Sequence, residues 1–196
     1  MNTIIKPVED NYDKQNTYVV LNDKLTKAKE EGYYYESMFI VYAMIEDRLS
    51  SILYYLKATI QNEKKTVFNP ENKNIMKEIF FRENNIDKDR FHFDFNKVSH
   101  KRLMLETLIK WSQKTPTESK LHEDTKKILK DTENYLTTLK DLDKWCDYRN
   151  QLIHDIFNKN MQSVNDEIKE QIDKGYKVAR ELINLANNVR NRSKNV

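Results

Sequence analysis

Apolar residues recur at helical spacing along most of the chain. The clearest stretch is 33–62, YYYESMFIVYAMIEDRLSSILYYLKATIQN, in which Met38, Val41, Tyr42, Ile45, Leu49, Ile52, Leu53 and Leu56 form one stripe. This predicts a long helix buried along that stripe. A charged, mixed segment at 16–31 predicts an earlier helix ending near Gly32. Asn69-Pro70 marks a break, and Pro70 suits a helix start, so a short helix is expected over 71–83. The stretch 84–96, NNIDKDRFHFDFN, is the least regular. Its alternating Phe91, Phe93 and Phe95 fit either a short extended piece or a loop tucking aromatics onto a bundle.

Further along, 97–114 predicts a helix carrying Leu103, Leu105, Leu108, Ile109 and Trp111. Thr115-Pro116-Thr117 breaks it, and a start between Thr117 and Lys120 opens the next helix, with Leu121, Ile128, Leu129, Leu136 and Leu139. Near Asp141 the pattern continues or kinks into a segment reaching about Phe157. The last long helix is expected over 163–190, capped by Ser163, with Gly175 inside it. No internal repeat or low-complexity linker interrupts this series. The expectation is an all-α fold: an elongated bundle of about five to seven helices forming a single domain over 1–196, with a small irregular insertion near 84–96.

Composition narrows the picture. With 2 Gly and 3 Pro in 196 residues, turn punctuation is scarce, which favours long helices. No apolar run approaches the roughly 20 residues that span a bilayer. The N-terminus, MNTIIKPVEDNYDKQ, has acidic residues where a signal peptide has an apolar stretch. Together these predict a cytoplasmic protein with no membrane partner. The one cysteine, Cys146, excludes an intrachain disulfide and a multi-cysteine zinc site. A net charge of +3 is no polyelectrolyte signature, so any nucleic-acid contact has to be local.

The candidate chemistry lies in Arg149-Asn150-Gln151-Leu152-Ile153-His154. Arginine keeps its charge and grips phosphate with a fork of donors; histidine exchanges a proton near neutrality. On a wheel at about 100° per residue, Leu142, Trp145, Cys146, Leu152, Ile153, Ile156 and Phe157 share a broad face with Arg149 at its centre. Asp147, Asn150 and His154 line another face. An arginine inside an apolar stripe needs an anion, because an unpaired buried charge is costly. Glu46 borders the apolar face of the long helix and is the better candidate to orient Arg149; its neighbour Asp47 points roughly opposite.

Other residues have plainer explanations. His92 with Asp94 lacks a third metal ligand at useful spacing, so no metal is expected. His122 reads as solvated, and Cys146 as packing. The tyrosines 33–35 and 54–55 can stack bases but read as helix-packing surface. The basic helix start Lys97, His100, Lys101 and Arg102 suits an RNA backbone, or is simply a solvated face.

The run Arg149-Asn150-Gln151-Leu152-Ile153-His154 resembles the R-x(4–6)-H motif of the HEPN superfamily, with a polar residue after the arginine and the motif late in an all-α chain. The earlier helix with Glu46-Asp47 also resembles the HEPN plan. The specific likeness is confined to residues 149–154. The resemblance implies a helical bundle that forms a homodimer and joins two motif copies in a composite site. It implies a metal-independent endoribonuclease of a toxin–antitoxin or antiviral defence system, with no cofactor. A nucleotidyltransferase-type antitoxin or a defence-complex partner is implied alongside RNA. In this reading Arg149, His154 and Asn150 are catalytic, Glu46, Asp47 and Asp147 support them, and Lys97, Lys101 and Arg102 bind RNA. The alternatives are an inactive HEPN-like module that binds RNA, nucleotide or a partner protein, and an unrelated helical protein with a chance motif.

Overall fold

A computed structural model describes residues 11–62, 65–114, 119–155 and 161–196. Among them the chain is all-α apart from one hairpin: α1 Asn11–Glu30, α2 Tyr34–Tyr55, β1 Thr59–Asn62, β2 Lys65–Phe68, α3 Lys73–Asn84, α4 Val98–Ser112, α5 Lys120–Ile128, α6 Tyr135–Asp155 and α7 Met161–Ser193. No described helix is long and apolar enough to cross a membrane. The regular elements follow from the periodicity. In α2, Met38, Val41, Ile45, Leu49 and Ile52 are all buried, so the expected stripe is the core face. That face makes the broadest helix–helix contact of the fold, against α7, whose Ile168, Ile172, Ala179, Leu182 and Ala186 point inward. One connected core runs from Leu25 to Val189.

Gly175 explains how α6 meets α7. A Cβ there would lie 2.5 Å from the indole of Trp145. The missing side chain lets Trp145 rest on the α7 backbone and donate its Nε1–H to the Gln171 carbonyl at 2.8 Å. The close approach fixes the helix that carries Arg149.

The structure departs from the pattern at several junctions. The helix expected over 33–62 stops at Tyr55. Lys57 adopts a left-handed conformation, φ 56°, and the chain turns into an antiparallel hairpin pairing Thr59 with Phe68 and Gln61 with Thr66. The β-branched Thr59, Ile60, Thr66 and Val67 favour this pairing. Pro70 lies in the turn before α3 and does not open the helix; the Asn69 side-chain oxygen accepts the Glu71 N–H at 3.2 Å there. The break between α5 and α6 falls at 129–134, where Asp131 has φ 57°, and α6 runs straight through Asp141. α1 begins at Asn11, earlier than expected, and α7 begins at Met161, so Ser163 is inside the helix. The Thr117 start, Ile156 and Phe157 lie outside the described residues.

The irregular stretch is a loop carrying aromatics. Phe93 packs 4.7 Å from Phe68 and 4.5 Å from Phe80, centroid to centroid, and Phe91 lies 5.0 Å from Phe80. This cluster joins the hairpin to α3. His122, expected to be solvated, is fully buried. Its Nε2 lies 3.0 Å from the Trp111 carbonyl oxygen, and its ring packs edge-on to Trp111. α5 is short and turns His122, Asp124 and Thr125 inward together with Ile128.

Candidate functional site

Arg149 leaves α6 toward α2. Its guanidinium carbon is 4.1 Å from the ring centroid of Tyr42 and 5.7 Å from that of Phe39. Its Nη1–H donates to the Asn150 side-chain oxygen at 3.2 Å. Tyr42 is half-buried, whereas Phe39 is 60 % exposed. The cation is thus stabilised by the negative faces of two rings, and among the described residues no carboxylate lies within ion-pairing distance of it.

The expected Glu46–Arg149 pair does not form. Glu46 accepts instead from Lys101 Nζ at 2.9 Å. Lys101 projects from α4 and is buried, with 3 % of its side chain exposed, so a carboxylate partner is the condition for keeping its charge there. Glu46 therefore supports the site indirectly, by tying α2 to α4 beneath Tyr42. Charges and dipoles of α2, α4 and α6 act on the Tyr42 hydroxyl. Burial pushes its pKa up, Glu46 and Cys146 push it further, and the Arg149 charge and the Val98 backbone N–H oppose them. The positive, N-terminal end of α4 accordingly faces the same hydroxyl.

Cys146, one turn before Arg149, has its thiol pushed up to about 11, chiefly by burial, with Arg149 opposing. It packs against the core, and burial disfavours its thiolate.

Asn150 and His154 are exposed on α6, with Asp147 exposed on the same helix. His154 occupies the last turn of α6. Arg149 and His154 therefore diverge from one helix end, the first toward the rings of α2 and the second toward solvent.

Several expected site residues belong elsewhere. Asp47 accepts the Tyr18 hydroxyl at 2.7 Å and pairs with Arg48, so it links α2 to α1 and does not support Arg149. Lys101 is buried beside Glu46 and cannot meet an RNA backbone. Arg102 is spent on Glu106 at 2.8 Å and Asp143 at 2.9 Å, which ties α4 to α6. Of the three proposed RNA contacts only Lys97 is exposed, at the start of α4. Tyr42 and Phe39 were not recognised as site residues. Their signal was a pair of aromatics three apart on α2, one of them at the edge of the apolar stripe. No group of three metal-ligating side chains is placed to hold an ion among the described residues.

No family model, curated protein or solved structure matches this chain.

Proposed function

We propose that this protein is a metal-independent endoribonuclease of the HEPN type, working as a homodimer in a toxin–antitoxin or antiviral defence system. The observation that supports this reading is the state of Arg149. Among the described residues it is a half-buried guanidinium held on two aromatic rings and bonded to the Asn150 side chain, with donors left for an anion. A phosphodiester is the anion that suits a fork of N–H donors next to a helix end carrying a histidine.

In the proposed reaction an imidazole takes the proton of the RNA 2′-OH, and the 2′ oxygen attacks the adjacent phosphorus. The new P–O2′ bond forms as the P–O5′ bond breaks. A second imidazole protonates the departing 5′ oxygen, leaving a 2′,3′-cyclic phosphate and a 5′-hydroxyl. Arg149 stabilises charge on the phosphoryl oxygens, and Asn150 fixes its guanidinium. Each chain offers one His154, so base and acid together call for two copies. The exposed Phe39 beside Arg149 is an apolar element on that face for a second copy to cover.

One observation favours the second reading, a silent module that binds RNA, nucleotide or a partner protein. His154 is exposed, and no described side chain orients its ring. Incubation with single-stranded RNA in EDTA separates the two. Cleavage to cyclic-phosphate ends by the wild type, lost in His154→Ala and in Arg149→Ala, supports the nuclease. Binding without cleavage, weakened by Arg149→Ala, supports the module. A strictly monomeric protein at micromolar concentration counts against the composite site.

A further inference from the structure

A second feature lies on the hairpin, α3 and the aromatic loop. These border a groove of about 1060 Å³. That is at the top of the roughly 300–1,000 Å³ range of small-molecule pockets, so the space suits an extended ligand. Four lysines converge on it from three parts of the chain: Lys65 from β2, Lys73 and Lys77 from α3, and Lys88 from the loop. None of the four lies within ion-pairing distance of a carboxylate among the described residues. This contrasts with Lys101, Arg102 and Lys114, all neutralised by glutamates.

Two carboxylates, Glu78 and Asp94, also border the groove. Asp94 is engaged by its own loop, accepting the Asn96 N–H at 3.0 Å. The balance across the groove is therefore cationic. Its apolar side comes from the phenylalanine cluster, where Phe91 and Phe93 are half-buried and keep part of their rings at the surface. Lys77 Nζ stands 5.9 Å from the Phe68 ring centroid, so charge and ring surface are interleaved.

Cations set along a groove with aromatic surface between them match a polyanion that carries flat apolar groups at regular intervals. We propose that this groove binds single-stranded nucleic acid, with the lysines on the phosphates and the bases against Phe91 and Phe93. The lining includes none of Arg149, Tyr42 and Phe39, so the proposal does not rest on the nuclease reading.

Fluorescence anisotropy with a labelled oligouridylate tests it on the full chain. Lys73→Glu and Lys88→Glu alter exposed side chains, so the double variant is expected to fold, with an unchanged helical circular dichroism spectrum. Its affinity should fall at least tenfold. The log–log salt slope should shrink by about 1.4, at about 0.7 per lost phosphate contact. Lys126→Glu with Lys127→Glu, an equal charge change at exposed lysines of α5, should keep oligouridylate binding within about twofold. Full affinity in the groove double variant overturns the proposal, as does an equal loss in the α5 control variant. Competition by polyglutamate as strong as that by unlabelled oligouridylate also overturns it, because charge alone then accounts for the affinity. Cleavage lost with groove binding intact refutes the nuclease and not the groove.

Discussion

The central carbon of the Arg149 guanidinium stands 4.1 Å from the ring centroid of Tyr42, and among the described residues this contact takes the place of an ion pair. A carboxylate at that position would have neutralised the arginine and competed with any incoming phosphate. A ring stabilises the charge while leaving it uncancelled. The same contact links α6, which packs on α7 and α4, to α2, so the position of the cation depends on an aromatic side chain and not on an acid.

Exchanging Tyr42 for other side chains should separate ring from hydroxyl. Tyr42→Phe keeps the quadrupole and should retain phosphate-dependent activity or RNA affinity at Arg149 within about twofold. Tyr42→Leu removes it. A cation–π contact worth about 0.5–2 kcal/mol corresponds to a loss of roughly 2- to 30-fold. Equal loss in both variants would mean that the hydroxyl, between Glu46 and the start of α4, is the working group.

Glu46 and Lys101 should behave as a structural pair. Removing Glu46 leaves Lys101 buried and unpaired, which costs about 3–5 kcal/mol for a fully buried pair. With Glu46 36 % exposed, the low end, about 3 kcal/mol, is expected for Glu46→Ala in urea unfolding. The double variant Glu46→Leu with Lys101→Met should recover most of this loss, because an apolar pair of similar volume needs no neutralisation. A cycle showing simple additivity would contradict the coupling.

The sequence carried the helices and missed the tertiary assignments of their charges. The α2 stripe was readable because burial follows a 3.6-residue period there. Its end at Tyr55 was obscured because Leu56, Ala58 and Ile60 continue an apolar pattern through the left-handed Lys57 and into a strand. Lys101 and Arg102 looked like a surface patch because their neutralising partners Glu46 and Asp143 stand on other helices, 55 and 41 positions away in sequence. Composition records the charges without showing which ones meet. His122 failed for a related reason: α5 buries a face of His, Asp and Thr, and a short polar helix gives no apolar period to reveal it. Arg149 was legible as an arginine needing compensation. The compensation came from rings of α2, a choice that depends on where packing on α7 and α4 sets α6.

Acid should loosen the aromatic loop through His100. The Asp94 N–H donates to His100 Nδ1 at 2.9 Å, which requires that nitrogen to be unprotonated. Burial lowers the pKa of His100 from its ordinary 6.5, the Lys97 charge lowers it further, and Asp94 opposes. A lowered folded value means that this contribution is present above pH about 6.5 and is lost as pH falls through the folded value. The imidazole resonances should titrate below the ordinary histidine midpoint, and those of Phe91, whose ring is tilted against it at 4.8 Å, should move with them. His100→Gln should remove the pH dependence. A midpoint above 6.5 would refute the assignment.

Gly175 and Trp145 make the last prediction, because the two control the seating of the helix that carries Arg149. Gly175→Ala gains helix propensity, about 1 kcal/mol, but drives a methyl into the indole at 2.5 Å. Overpacking of this kind costs about 1–3 kcal/mol, so a net loss is expected, and Trp145 must shift and strain its hydrogen bond to Gln171. In a Trp145→Leu background the space is open. There the same Gly175→Ala substitution should stabilise the protein relative to Trp145→Leu alone. The sign of the glycine substitution therefore reverses with the residue at 145, as measured by denaturant midpoints in the four proteins of the cycle. If Arg149 depends on this seating, Gly175→Ala should also weaken RNA binding or cleavage at conditions where the protein remains folded. Unchanged activity would show that the α2 rings alone hold the arginine in place.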